Sequence, residues 1–316
     1  MPKAVSLFTG CGGSDAGLHA CGFDVVMAND VMSYARDVYL ANLPETDYVV
    51  GDVKGIESFP KADLLAGCYP CQGFSVGGVR DPDRGINYLY REFDRALRQI
   101  RPKAFIVENV SGMRRANNQH LAVNQLTRFR MAGYKVSWAV LDAREYGVAQ
   151  ERSRMFFVGI RSDLGIEYEF PAPTHALPGN AASGLPGCPT IKDRIGGMPE
   201  WPEGEFDAQP FHWYYLSRDR WRGWDQVSRT IVANSRHTPL HPISPKLERL
   251  GPDEWRFVSD APARRLSYRE AAALQGFDAD MTFPDTGGTR LRYRVVGNAV
   301  PPPLFQAVAS AIPDIW

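Results

Sequence analysis

One alternation constrains this fold more than any other feature. Across the first 160 residues, short apolar runs recur with stretches of helical period between them. Strands are expected at 4–8, 25–29, 48–50, 64–66, 104–107, 134–141 and 155–160. Helices are expected at 15–21, 33–42, 88–100 and 119–132. Strands that alternate with helices predict an α/β fold whose sheet is mostly parallel and covered on both faces.

The texture changes near Pro171. From there to about Asp260, Pro, Gly, Trp and Arg accumulate and helical periodicity fades, which reads as a second, irregular domain. Helical pattern returns at 267–274, where Ser267 and Glu270 form a capping box, and again at 304–312. A last helix that rejoins the first domain would make the second one an insertion.

With 44% hydrophobic and 23% charged residues in 316, the chain reads as a globular protein, neither disordered nor collagen-like. No run approaches the ~18 uncharged apolar residues of a membrane span. The opening MPKAVSLFTGCGG reads as a strand and glycine turn rather than a secretory signal. Five cysteines, an odd number, point to reduced thiols in a cytoplasmic setting; only Cys68 and Cys71 are spaced C-x-x-C, and no metal site is expected. Thirty-six basic residues balance thirty-six acidic ones, so a nucleic-acid partner would require positive charge gathered on one face.

Residues 4–13, AVSLFTGCGG, run a strand into a glycine turn, and Asp30 follows Gly10 by 20 residues at the end of the second strand. That geometry suits a nucleotide and a ribose-binding carboxylate. A dinucleotide fingerprint would need glycine at position 15, which is Asp15, whereas S-adenosylmethionine has no phosphate and tolerates the departure. A purely structural glycine turn is the third reading.

Residues 63–78 lead another strand into a glycine-rich loop carrying Pro70-Cys71-Gln72. Cys71 reads as half of a redox dithiol, as an inert thiol, or as a nucleophile under a closing loop. Glu108 directly follows the apolar strand 104–107 and is a candidate proton donor. Gln150-Glu151-Arg152-Ser153-Arg154 precedes a strand, on which Arg152 and Arg154 would share one face. Taken singly, each charge cluster reads more readily as a solvated surface than as chemistry.

In order, these segments resemble the DNA (cytosine-5) methyltransferase family. The matching stretches are residues 7–13 (LFTGCGG), 51–53 (GDV), 70–72 (PCQ), 108–110 (ENV), 150–154 (QERSR), 265–267 (RLS) with 274–277 (LQGF), and 297–301 (GNAVP). The resemblance implies a Rossmann-like, S-adenosylmethionine-dependent catalytic domain at 1–170 and 293–316. It implies a target-recognition domain at 171–262 and a hinge at 263–292. It implies that Cys71 adds to ring carbon 6 of a cytosine flipped out of duplex DNA. Glu108 would hold ring N3 and the exocyclic amine, Arg154 the ring carbonyl oxygen, and Arg152 would lie near the base and backbone. Cofactor roles carry over to Phe8, Gly10, Gly12, Gly13, Asp30, Asp52, Val53, Pro70, Leu89, Asn298 and Ala299. Val31 stands where some members place an aromatic residue beside the adenine.

The segment 212–222, HWYYLSRDRWR, interleaves cations with aromatics, and Arg236 follows near 241. Arginine suits bidentate contact with guanine. The alternating arginines are similar to those of members that methylate GGCC, which implies a short G/C-rich palindrome read by Arg218, Arg220 and Arg236. Gln72, Ser75, Arg222 and Thr230 are further implied DNA contacts. A monomer is expected, with a restriction endonuclease as functional partner. The same catalytic set could act on transfer RNA, or a relative could bind DNA without chemistry. The length of the recognition segment favours duplex DNA, and intact Cys71 and Glu108 favour an enzyme.

Overall fold

The computed structural model describes residues 1–70, 88–110, 112, 119–180 and 184–316, the side chain of Gln119 excepted. The chain forms two compact units, one of residues 1–142, 153–172 and 302–316, the other of 143–152 and 173–301.

The first unit carries β1 (Lys3–Leu7), α1 (Gly13–Ala20), β2 (Asp24–Asp30), α2 (Ser33–Asn42) and β3 (Asp47–Val50). It continues with β4 (Leu64–Gly67), α3 (Tyr90–Ile100), β5 (Ala104–Val110), α4 (Gln119–Met131), β6 (Tyr134–Asp142) and β7 (Ser153–Arg161). The sheet order is β3-β2-β1-β4-β5-β7-β6, with β7 antiparallel to both neighbours. Winding reverses between β1 and β4, the crevice where open α/β sheets place ligands at the strands' carboxyl ends. Every expected strand forms. The central ones, β1, β4 and β5, are buried nearly throughout because helices cover both faces. Phe93, Phe105 and Phe129 pack edge-on or tilted at 4.8–5.8 Å between α3, β5 and α4, which fixes the helices against the sheet.

The second unit holds α5 (Ile191–Ile195), α6 (Trp213–Leu216), β8 (Leu247–Gly251), β9 (Glu254–Phe257), α7 (Tyr268–Leu274) and α8 (Thr289–Asn298). The Ser267 capping box at α7 forms in both directions. Helix α8 was not anticipated. Its Arg290-Leu291-Arg292-Tyr293-Arg294 alternates with period two, which reads as a strand until the buried Tyr293, Val295 and Val296 fix a helix. Residues 143–152 and 293–301 lie in this unit, whereas the family resemblance implied a catalytic domain of residues 1–170 and 293–316.

The chain then returns as α9 (Pro302–Ser310) to pack on α1 within the first unit. Gly17 permits that approach, since a Cβ there would stand 2.8 Å from the backbone of Pro302 and Gln306. The second unit is therefore interposed in the sequence of the first. Among the described residues no helix is long and apolar enough to cross a membrane.

Candidate active site

Two clusters of the candidate side chains form at the carboxyl ends of the strands in the first unit. At the exit of β1 the backbone takes positive φ at Phe8 (61°), Gly10 (57°) and Gly12 (90°). Non-glycine residues rarely adopt that region, so Phe8 is held there by its surroundings. The hold comes from Asp15, whose fully buried carboxylate accepts hydrogen bonds from the hydroxyls of Ser6 (2.6 Å), Thr9 (2.8 Å), Ser14 (2.8 Å) and Tyr39 (2.9 Å). Asp15 was read from sequence only as a missing glycine. Four hydroxyls scattered from 6 to 39 give no local signal that they converge on it.

Asp30, at the end of β2, accepts from the Gly10 amide (3.1 Å) and from the Met32 amide (3.0 Å), tying the turn to the start of α2. A Cβ at Gly10 would meet no atom within 4 Å, so the turn leaves open space beside a half-buried Phe8 ring and an acidic strand end. Those features fit a nucleoside with a ribose and a cationic tail. Gly12 and Gly13 lead into α1, where a side chain at Gly12 would strike the Tyr39 ring. Val31 is exposed. Asp52 caps a short 3-10 turn by accepting from the Lys54 amide, while the Val53 side chain is buried in the core, leaving only its backbone for a ligand. Pro70 ends the described part of the β4 exit, and Leu89 caps α3.

The second cluster joins β4, β5 and β7. Antiparallel pairing sets Arg154 opposite Val110, so Glu108 is its diagonal neighbour on the same face. Arg154 Nε lies 2.7 Å from Glu108 Oε1, with both side chains largely buried. Burial pulls the Arg154 guanidinium below its ordinary value, against the pull of the Glu108 carboxylate. The neighbouring Asn109 amide donates to the Tyr69 carbonyl at 3.5 Å, linking the Glu108 strand end to the residue before Pro70. The Tyr69 hydroxyl in turn donates to Gln125 of α4. Burial first, and then Glu108, push the Cys68 thiol well above its usual range, so Cys68 is no thiolate. Cys71, Gln72 and Ser75 lie outside the described residues.

The expectation that Arg152 and Arg154 share a strand face is corrected by where β7 begins, at Ser153. Arg152 belongs to the second unit, where its buried guanidinium donates to the carbonyls of Ile231 (2.9 Å), Gly297 (3.0 Å) and Ala299 (2.8 Å). Gln150 Oε1 accepts from the Ile231 amide, and Gln275 donates to the carbonyls of Val296 and Ala299. Residues 150–152, 274–277 and 297–299 thus form one buried anchor. Their motif spacing came from different parts of the chain and concealed that convergence. Ala299 is buried in this anchor, whereas Asn298 is exposed.

Elsewhere in the second unit, Arg218 and Arg236 are exposed. Arg220 is half-buried, donates to the His237 carbonyl at 2.7 Å and lies over the Tyr215 ring. Arg222 is likewise held by Asp219 and the Trp221 carbonyl, and exposed Thr230 donates to the Glu151 carbonyl. Among the described residues no group of His, Cys, Asp and Glu is arranged to hold a metal.

Residues 2–314 match the C-5 cytosine-specific DNA methylase family. The chain is 34% identical to Type II methyltransferase M.BsuRI of Bacillus subtilis over 98% of its own length and 79% of that protein. It is equally 34% identical to M.NgoPII of Neisseria gonorrhoeae, over 98% of this chain and 95% of that one. A solved DNMT2 mutant from Spodoptera frugiperda superposes with a TM-score of 0.72 at 17% identity, covering 98% of this chain and 99% of that structure, which shows a shared fold. A glycine turn at the end of β1, a Glu–Arg pair at the end of β5 and this unbroken match have one reading: the chain belongs to the C-5 cytosine-specific DNA methylase family and is a DNA (cytosine-5) methyltransferase.

Proposed function

We propose that this enzyme methylates a flipped-out cytosine within a short G/C-rich palindrome, GGCC in the first instance, using S-adenosylmethionine. In that role it protects host DNA beside a cognate restriction endonuclease. The Glu108–Arg154 pair carries the reading, because it presents a carboxylate and a guanidinium on one face of the sheet with only 2.7 Å between them.

Carbon 5 of cytosine is a weak nucleophile, so the ring must first be activated. Cys71 supplies the sulfur that bonds to carbon 6. Glu108 holds ring N3 and the exocyclic amine as charge develops, and Arg154 steadies the carbonyl oxygen. S-adenosylmethionine supplies the electrophilic methyl group that carbon 5 accepts. Loss of the carbon 5 proton, followed by departure of the Cys71 sulfur, restores the aromatic ring. Phe8, the glycine turn and Asp30 hold the nucleoside of the cofactor, with Asp52, Val53, Pro70 and Leu89 lining the remainder. The first unit is the catalytic domain and the second reads the target, with Arg218 and Arg236 as its base readers.

An oligonucleotide with 5-fluorocytosine at the target position tests the chemistry, since fluorine cannot leave as a proton. A methylated protein–DNA adduct should survive denaturing electrophoresis; no adduct would refute the covalent route. Bisulfite sequencing of plasmid from an expressing host tests the site. Protection confined to sequences other than GGCC would refute that assignment.

A further inference from the structure

Helix α6 is a single turn, yet it divides its side chains sharply. Tyr215 is fully buried, donates its hydroxyl to the Thr238 carbonyl at 2.8 Å and sits between the guanidinium groups of Arg220 and Arg265, 5.1 and 4.8 Å from its ring centre. Phe211 packs on the same ring at 5.0 Å. The turn is therefore fixed from beneath. Its other two aromatics face outward: Trp213 is 71% exposed and Tyr214 38% exposed.

An indole kept in water gives up the burial that usually offsets its size, so such a side chain marks an interaction surface. The surroundings define the partner. Arg218 lies over the Tyr214 ring at 4.9 Å and Arg236 is exposed nearby in sequence to His237, whose ring is 5.7 Å from Tyr214. Among the described residues neither Arg218 nor Arg236 forms an ion pair. Burial first, and then Arg220, His212, Arg265 and Arg236, depress the His237 pKa. A rigid aromatic projecting from a positive surface is complementary to a polyanion that also offers flat apolar faces.

We propose that Trp213 is a stacking contact to the DNA substrate, laying its indole on a base or sugar face while Arg218 and Arg236 engage phosphates or guanine edges. The inference rests on the proposed target-reading role of the second unit. It adds a contact whose energy is apolar rather than ionic.

The experiment uses the full chain and a fluorescent duplex bearing the site mapped by bisulfite sequencing. Trp213→Ala should weaken binding about 5- to 100-fold, with an unchanged slope of affinity against salt, because no phosphate contact is lost. Trp213→Phe should recover most of that affinity. Arg218→Gln removes a cation from this surface and should instead lower the salt slope by about one. Affinity of Trp213→Ala within twofold of the parent, or a salt slope that falls as it does for Arg218→Gln, would overturn the stacking role. If Trp213→Ala, Arg218→Gln and Arg236→Gln all bind normally, the target-reading assignment of this surface falls as well.

Discussion

Replacing Asp15 with alanine removes the acceptor on which the β1–α1 turn is organised. Four hydroxyls converge on this buried carboxylate, each bond between 2.6 and 2.9 Å. Hydrogen bonds to an ionised acceptor contribute about 1.5–3 kcal/mol each. Recovering the carboxylate's hydration on unfolding offsets several kcal/mol of that total. Ser6, Ser14, Thr9 and Tyr39 would be left buried, though Tyr39 can turn to Thr46 Oγ1 at 3.3 Å. A net loss of about 3–5 kcal/mol follows, by analogy with removing one partner of a buried charged network. At about 2–4 °C per kcal/mol for a domain of this size, the melting temperature should fall by about 10 °C. Asp15→Asn should lie between, since its oxygen can keep one pair of donors while its NH2 forces the other pair to turn. The same loss frees Thr9 and with it the strained φ at Phe8, so KM for S-adenosylmethionine should rise about tenfold while KM for DNA holds. Scanning fluorimetry and steady-state methyl transfer measure both. Melting of Asp15→Ala within 2 °C of the parent would refute the reasoning.

Glu108→Gln keeps the shape of the side chain but loses the Arg154 ion pair; methyl transfer should fall about 10²–10⁴-fold with S-adenosylmethionine binding retained, and near-normal turnover would count against Glu108. Gly17→Ala drives a Cβ to 2.8 Å from the α9 backbone, so despite alanine's better helix propensity it should destabilise by about 1–3 kcal/mol in denaturant melts; a gain in stability would contradict the packing. His241, buried beside the Arg264–Glu270 pair, has its pKa depressed from 6.5 to about 3, chiefly by burial and then by Arg264. Its contribution is full above pH 6.5 and declines by at most about 1.4 kcal/mol per unit as the pH falls toward 3. His241→Phe should flatten that part of a stability–pH curve, and an unchanged slope would exclude the group.

The sheet was legible because its strands are buried on both faces, leaving unbroken apolar runs such as 64–66 and 104–107 that no turn chemistry interrupts. Helix α2 begins and ends at the expected residues for the related reason that its buried positions, Tyr34, Ala35, Val38 and Tyr39, keep the 3.6-residue period. The same reasoning failed at α8, where three alternating arginines mask a helical face built from Tyr293, Val295 and Val296. Periodicity reports which faces are wet, and a helix with a charged ridge at i and i+2 offers the wrong period.

The candidate site was legible as residue types but not as partnerships. Glu108 and Arg154 were both singled out, yet what makes them a pair is a strand register that sets Val110 opposite Arg154, and register is a property of two strands. Arg152 shows the converse. Two residues from Arg154 in a segment that reads as strand, it was expected to share its neighbour's face, but the strand starts one residue later and the guanidinium turns to three carbonyls from 231, 297 and 299. An arginine whose donors are met by backbone carbonyls holds loops together, while one that meets a carboxylate on an open strand end can present charge to a substrate. Replacing each by lysine separates the roles, because a single ammonium cannot span three carbonyls but can still pair with one carboxylate. Arg152→Lys should therefore open residues 228–231 and 297–301 to proteolysis, and Arg154→Lys should leave that protection intact while slowing methyl transfer. Equal protection in both variants would show that the anchor does not depend on the guanidinium fork.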